Sequence, residues 1–231
     1  MYCLKNYLKY YFFFAFVLFS LAVLAQDETP SLPKQYYILS PRVSVTVPHP
    51  MTNKAFKKCF VGIYEISGGL NFMYYKGLFI GATYKNALLK ITGNKIANFD
   101  VSMKINNVAS KLGVDSYLGD NNRVVFSTAV SVGQNWTRYS GLHTKDQTKR
   151  PALTAYKSIV VEPEINLFFL VESNFGIGAT VSYSIFGKNF DPYELALNDW
   201  TTFQNVKPGS TSYLSFGFGF YYSLIAKKKH K

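Results

Sequence analysis

The stretch FGIGATVSYSIF, Phe175–Phe186, alternates without error. Phe175, Ile177, Ala179, Val181, Tyr183 and Ile185 take one side; Gly176, Gly178, Thr180, Ser182 and Ser184 take the other. Successive side chains of a strand point to opposite faces, so this stretch is a β-strand with one apolar face. Its polar face is small and uncharged, whereas a sheet face in water would carry Lys, Glu and Arg. Small residues suit the interior of a narrow barrel, which leaves the apolar face turned outward, toward lipid.

The first residues place such a barrel beyond the cytoplasm. Lys5 and Lys9 form a positive start, Phe12–Leu24 is apolar except for Ser20, and Val23 and Ala25 stand at −3 and −1 of a cleavage before Gln26. This pattern predicts a secretory signal peptide over residues 1–25. The apolar run is shorter than the ~18–20 residues of a helical span. Further membrane residence must then come from strands, because only helices and closed barrels satisfy their backbone in lipid.

Composition agrees. Charged residues are 16% and aromatic residues 17% of the chain, against roughly 25% charged in soluble proteins. The chain has 25 basic and 13 acidic residues; loss of Lys5 and Lys9 with the leader leaves a net charge of about +10. Export removes nucleic acid from the expected partners of a basic chain and leaves lipid phosphates and anionic glycans. Cys3 departs with the leader, so Cys59 stands alone, and no Cys/His cluster predicts a metal site. No cofactor is expected.

Eight segments of period two follow, over about 36–47, 59–75, 78–90, 101–118, 123–139, 153–171, 175–186 and 211–224. Pro41 in the first predicts a bulge or local break. In the fourth, Val101, Met103 and Ile105 have the opposite parity to Val108, Leu112 and Val114, which predicts a bulge near Asn106. The connections 76–77, 119–122 and 172–174 are tight turns; 48–58, 91–100, 141–152 and 187–210 are long. Short turns at one end and long loops at the other is the outer-membrane barrel pattern. The expected organisation is a signal peptide (1–25), a short periplasmic lead (26–35), an eight-stranded antiparallel up-and-down transmembrane β-barrel (36–224) and a basic periplasmic tail (225–231). Both termini are expected in the periplasm of a Gram-negative bacterium.

This architecture resembles the small eight-stranded outer-membrane proteins; it is similar to the transmembrane barrel of outer-membrane protein A and to outer-membrane protein X. The Ala25–Gln26 junction is similar to that of exported proteins of Bacteroidota. The resemblance implies a C-terminal signal for the barrel-assembly machinery, and Ser215, Gly217, Phe220 and Tyr222 have its spacing, with nine further residues after Tyr222. It also implies a structural or recognition role: envelope integrity, attachment, or membership of an outer-membrane assembly with other envelope proteins.

The inward parity collects Arg42, Glu65, Lys85, Lys111, Asp115, Glu162 and Glu164. In a narrow lumen they are expected to form mutual ion pairs that plug it, with Arg42 or Lys111 reaching an inward carboxylate, rather than an ion path or a catalytic pair. Arg42 and Glu65 lie on neighbouring strands and are one expected pair. Tyr37, Tyr74, Trp136, Tyr139, Phe175 and Tyr222 fall near strand ends and are expected in the aromatic girdles at the two interfaces; Phe186 and Phe190 fall near the same outer ends. Lys54, Lys57, Lys58, Lys145, Lys149 and Arg150 lie on the long loops, where they can pair with lipopolysaccharide phosphates. Lipids and lipopolysaccharide are thus the expected partners. No catalytic residue is assigned. The alternatives are an outer-leaflet lipid A-modifying hydrolase, for which Ser140 and His143 are the candidate pair, and a narrow channel.

Overall fold

The structure is a computed structural model and describes residues 37–91, 101–119, 122–141, 154–172, 174–194 and 207–225. The signal peptide, the periplasmic lead and the tail after Ile225 lie outside the described residues. Eight long strands run in chain order: β1 (Tyr37–Pro50), β2 (Phe60–Tyr75), β3 (Leu78–Ile91), β4 (Ser102–Leu118), β5 (Val124–Ser140), β6 (Ala155–Leu170), β7 (Phe175–Phe190) and β8 (Gly209–Tyr222). A six-residue helix, α1 (Lys54–Cys59), joins β1 to β2, and a two-residue strand, β9 (Leu224–Ile225), follows β8. Every long strand pairs antiparallel with its sequence neighbour, and β1 pairs with both β2 and β8. That double pairing closes the sheet into an eight-stranded antiparallel barrel without a free edge. Ile225, assigned to the tail by sequence, pairs with Tyr37.

Tight turns hold one end. Lys76 (φ 36°) and Gly77 (φ 94°) link β2 to β3, the positive-φ pair of a two-residue hairpin. A Cβ on Gly77 would lie 2.4 Å from the Asp115 carbonyl oxygen, and the Gly77 carbonyl accepts the Asp115 N–H at 2.9 Å. Backbone conformation and crowding therefore both require glycine there. The long connections all lie at the other end, called here the loop end.

The outward faces are apolar through the turn-end and middle thirds. Leu70, Ile80, Leu112, Val132, Phe169 and Phe218 are all more than half exposed. Isolated apolar side chains on a surface are ordinary, but an encircling band is not; this one is lipid-facing. On β7 the outward residues are Ile177, Ala179, Val181 and Ile185, and the inward ones are Gly176, Gly178, Thr180, Ser182 and Ser184.

At Pro41 the sequence predicts a bulge or a local break, and the structure has the break. β1 pairs with β2 without a register shift from Leu39 to Thr46, so there is no bulge there. The ladder lapses on the other side, between the Arg42–Tyr221 and Leu39–Leu224 rungs, because proline has no N–H to donate. The expectation of a bulge in β4 is corrected. Its pairing runs unbroken from Lys90–Ser102 to Leu78–Val114 on one side and from Ser102–Ser140 to Leu118–Val124 on the other. No bulge occurs near Asn106. Val101, Met103 and Ile105 keep the inward parity of Asn107 and Lys111 and are fully buried. What changes along the strand is the polarity of the two faces. Nearer the turns the lumen is polar and the exterior apolar; at the loop end the lumen is apolar and the outward residues are Ser102, Lys104 and Asn106. β3 behaves alike: inward Thr83 and Lys85 give way to Ala87 and Leu89, while outward Tyr84 gives way to Asn86 and Lys90.

This inversion marks where the barrel leaves the hydrocarbon. Val108–Leu118 is eleven residues, against the ~9–11 that a tilted strand needs to cross. The six residues Ser102–Asn107 lie beyond it. The expected outcome is a depth-dependent response to outward charge: Leu112→Lys should destabilise the barrel by about 2–4 kcal/mol and Asn106→Lys by about 0–1 kcal/mol, as read from urea unfolding in lipid vesicles. Equal costs would place Asn106 inside the hydrocarbon.

Candidate functional site: the filled lumen and its loop-end rim

The lumen is occupied in three tiers. Nearest the turns, the Arg42 guanidinium lies 5.0, 5.7 and 5.1 Å from the ring centroids of Phe79, Phe168 and Tyr221, a favourable placement for a cation. It pairs with Asp115 across the barrel and donates to Ser127 Oγ at 2.7 Å. Phe168 and Tyr221 pack with Met73 and Val125, and Tyr117 and Tyr221 share a hydroxyl hydrogen bond of 3.0 Å. The inward glycines make room for this tier: a Cβ on Gly113 would lie 2.5 Å from the Phe79 ring, and one on Gly219 would lie 2.9 Å from Phe168.

The middle tier carries the other charges. Lys111 Nζ lies 2.9 Å from both Glu164 oxygens, and Asn166 donates to the same carboxylate at 2.7 Å. Lys85 Nζ bridges Glu65 and Glu162 at 2.8 Å each. Thr46 donates to Glu65 at 2.9 Å, and Ser184 donates to Glu162. All seven charged residues singled out by parity are thus buried in one lumen, joined as two pairs and one Glu65–Lys85–Glu162 bridge. One pairing differs from expectation: Arg42 does not meet Glu65. Glu65 is the rung partner of Thr46 and Arg42 that of Gly69. The two charges are four residues apart along the strand, about 13 Å, and each finds a nearer partner. A cavity of about 20 Å³ lies beside Lys111, Glu164, Ser67 and Thr180, room for about one water.

The loop-end tier is apolar. Asn53 caps α1, its side chain accepting the Ala55 N–H at 2.8 Å. This turns Ala55, Phe56 and Cys59 into the lumen mouth, all fully buried, and leaves Lys54, Lys57 and Lys58 exposed. Phe56, Phe60 and Phe190 form a ring cluster with centroids 5.4–5.8 Å apart. Ile105, Met103, Leu89 and Tyr213 complete the layer.

The girdle assignments divide. Tyr74 is 77% exposed, Tyr222 is exposed, and Trp136 and Phe175 face outward half-buried; the Tyr37 side chain lies outside the described residues. Tyr139 is corrected: it is 6% exposed and packs inward on Phe60 and Tyr156 at 6.2 and 6.1 Å. Phe186 and Phe190 also turn inward. The reason is parity: Tyr139 shares the odd phase of Ser131 and Asn135, and nearness to a strand end does not override it. Lys145, Lys149 and Arg150 lie outside the described residues. Ser215 and Gly217 face the lumen side of β8, and Phe220 and Tyr222 face outward. Ser140 is exposed and shares a 2.6 Å hydrogen bond with Ser102 Oγ; His143 lies outside the described residues. Among the described residues no group of His, Cys, Asp and Glu could hold a metal ion.

The lumen contacts carry a thermodynamic expectation. Lys111→Met leaves Glu164 buried without its counter-charge and should cost about 3–5 kcal/mol, whereas Lys111→Met with Glu164→Met should cost less than that single change. Arg42→Met and Glu65→Gln should be additive within about 0.5 kcal/mol, since they share no partner. Urea unfolding of the single and double variants in vesicles provides both cycles. Additivity for Lys111 and Glu164 would show that this pair is not coupled.

No protein-family model matches the chain, and no curated protein matches it. Among solved structures it is similar to Neisserial surface protein A, with 10% identity, a TM-score of 0.50, and coverage of 80% of this chain and 97% of that one. It is also similar to Ail, the attachment invasion locus protein of Yersinia pestis (10% identity, 80% and 96% covered, TM-score 0.45), and to the outer membrane protein OprG of Pseudomonas aeruginosa (11% identity, 82% and 97% covered, TM-score 0.43). At such identities the likeness is one of fold: that of the small outer-membrane β-barrels.

Proposed function

We propose that this chain is an integral outer-membrane β-barrel of a Gram-negative bacterium whose lumen is closed and whose work is done at its loop-end rim, in envelope integrity, attachment, or assembly with other envelope proteins. The observation that supports this best is the three-tier filling. A through-path would have to cross the Arg42 aromatic tier, the Lys85 and Lys111 ion pairs and the Phe56 cap in turn. Strands that run on beyond the lipid belt raise the rim clear of the hydrocarbon, where recognition takes place. Both ends of the barrel chain lie with the short turns, as a periplasmic placement of the termini requires.

The barrel-assembly machinery is the partner expected during insertion, through the Ser215, Gly217, Phe220 and Tyr222 pattern on the closing strand. A lipid A hydrolase finds less support. Its candidate base, His143, lies outside the described residues, while Ser140 ends β5 and shares a hydrogen bond with Ser102 Oγ. A nucleophilic serine needs its base within about 2.6–3.2 Å.

Three measurements check this reading. The mature chain should stay with membranes through a carbonate wash. It should show no steady, large conductance in planar bilayers, and open steps would remove the closed lumen. The lipid A mass spectrum should be unchanged in a deletion strain, and a lost or gained acyl chain would restore the enzyme reading.

A further inference from the structure

Among the described residues, the outward-facing strand positions carry four charged side chains, and all four are cations: Lys90 on β3, Lys104 on β4, Arg138 on β5 and Lys157 on β6, each exposed. They stand on consecutive strands at the loop end, and the register strings them together. Lys104 and Arg138 are direct cross-strand partners. Lys90 faces Ser102, two residues from Lys104, and Arg138 faces Ala155, two residues from Lys157. Direct partners have Cβ atoms about 4.5–5.5 Å apart and diagonal ones about 7–8 Å, and like charges directly opposite are destabilising. None of the four is in an ion pair among the described residues.

Their depth is set by their neighbours. The next rung toward the lipid belt joins Asn106, Trp136 and Lys157, and tryptophan favours the headgroup level. Below that rung Val108, Val132 and Ile159 are exposed on the same face. Polar groups surround the cations: Asn86 donates to Asn106 Oδ1 at 2.7 Å, and Ser102 and Ser140 share their 2.6 Å hydrogen bond. On β1 and β2 the exterior is instead Val47, Val61 and Ile63, so the patch is one-sided.

We propose that the outward wall of β3–β6 at the loop end is a binding site for the multiply phosphorylated headgroup of a lipid in the adjoining leaflet. This rests on the reading that the loop end emerges from the membrane. A phosphomonoester carries about −1.5 to −2 charge near neutrality, enough to offset the opposed Lys104–Arg138 pair, and a guanidinium takes two phosphate oxygens in its fork. A second phosphate on the same headgroup reaches Lys90 or Lys157. The wall position favours a lipid over a soluble anion: acyl chains below such a headgroup lie along Val108, Val132 and Ile159.

The test uses the full mature chain, refolded and checked by heat-dependent gel mobility. Bisphosphorylated lipid A and phosphatidylcholine are the probes, in vesicles and by native mass spectrometry from detergent. Lipid A should be retained over phosphatidylcholine. Lys104→Gln with Arg138→Gln should weaken retention about tenfold, and Lys90→Gln with Lys157→Gln should weaken it by less. Lys76→Gln, in the β2–β3 turn at the opposite end of the barrel, should change it by no more than about twofold. Inorganic phosphate at equal phosphorus concentration should not displace the lipid. Undiminished retention by the Lys104/Arg138 variant overturns the proposal, as does displacement by inorganic phosphate, which would mark a soluble-anion site. A chain that a carbonate wash removes from the vesicles defeats the membrane reading itself; one that stays inserted yet does not prefer lipid A defeats only this site.

Discussion

Closure of the hydrogen-bond ladder is the constraint on which the rest of the structure depends. In hydrocarbon no water relieves an unpaired N–H or carbonyl, so a spanning sheet must meet itself. Here β1 does this by pairing with β2 on one side and β8 on the other. Proline tests how much slack the ladder has. Pro41 pairs on the β2 side and drops its rungs on the β8 side; the β6–β7 ladder likewise skips from Val161–Ile185 to Glu164–Ser182 around Pro163. Each missing donor costs pairing along one seam only, and the ring stays shut.

Closing at eight strands makes the lumen as narrow as side chains can fill. That dimension governs what lines it. Glycine at 113 and 219 clears space for Phe79 and Phe168, and Arg42 fits between the rings. Each buried charge must then find a partner within the lumen, because desolvation of a lone ion costs several kcal/mol. Some partners sit on adjacent strands, as Lys85 and Glu65 do; others reach across, as Arg42 and Asp115 do. The network is a consequence of the bore rather than an addition to it.

The polarity inversion toward the loop end is the other organising feature. Continuous strands pass from lipid to water without a break in pairing, and only the chemistry of the two faces changes. In the lipid belt the exterior is apolar and the lumen carries polar pairs. Beyond it β3–β6 follow the logic of a soluble barrel, with Ile105, Met103 and Phe56 inside and Lys104, Asn106 and Arg138 outside, while β1 and β2 keep Val47, Val61 and Ile63 on the exterior. A hydrophobic layer that includes Phe56, Phe60 and Phe190 lies at the mouth.

Strand identity and the inward parity of all seven lumen charges were legible in the sequence, because the two-residue period of a strand is a local property that no distant contact alters. The same parity, carried through to Tyr139, would have turned it inward. The opposite phase of Val101, Met103 and Ile105 was legible as a pattern but not as a cause: a bulge and a change of solvent leave the same trace in one strand, and only the unbroken ladders on both sides of β4 separate them. The partners of the lumen charges were decided by tertiary structure alone, because they depend on stagger between strands and on reach across the bore. Arg42 takes Asp115 on β4 and not Glu65 next door because the register sets Glu65 four residues higher. The α1 cap was likewise hidden, since one helical turn within a loop is too short for periodicity to declare. It forms where Asn53 can cap it and where the open mouth of the barrel gives Phe56 an apolar layer to enter.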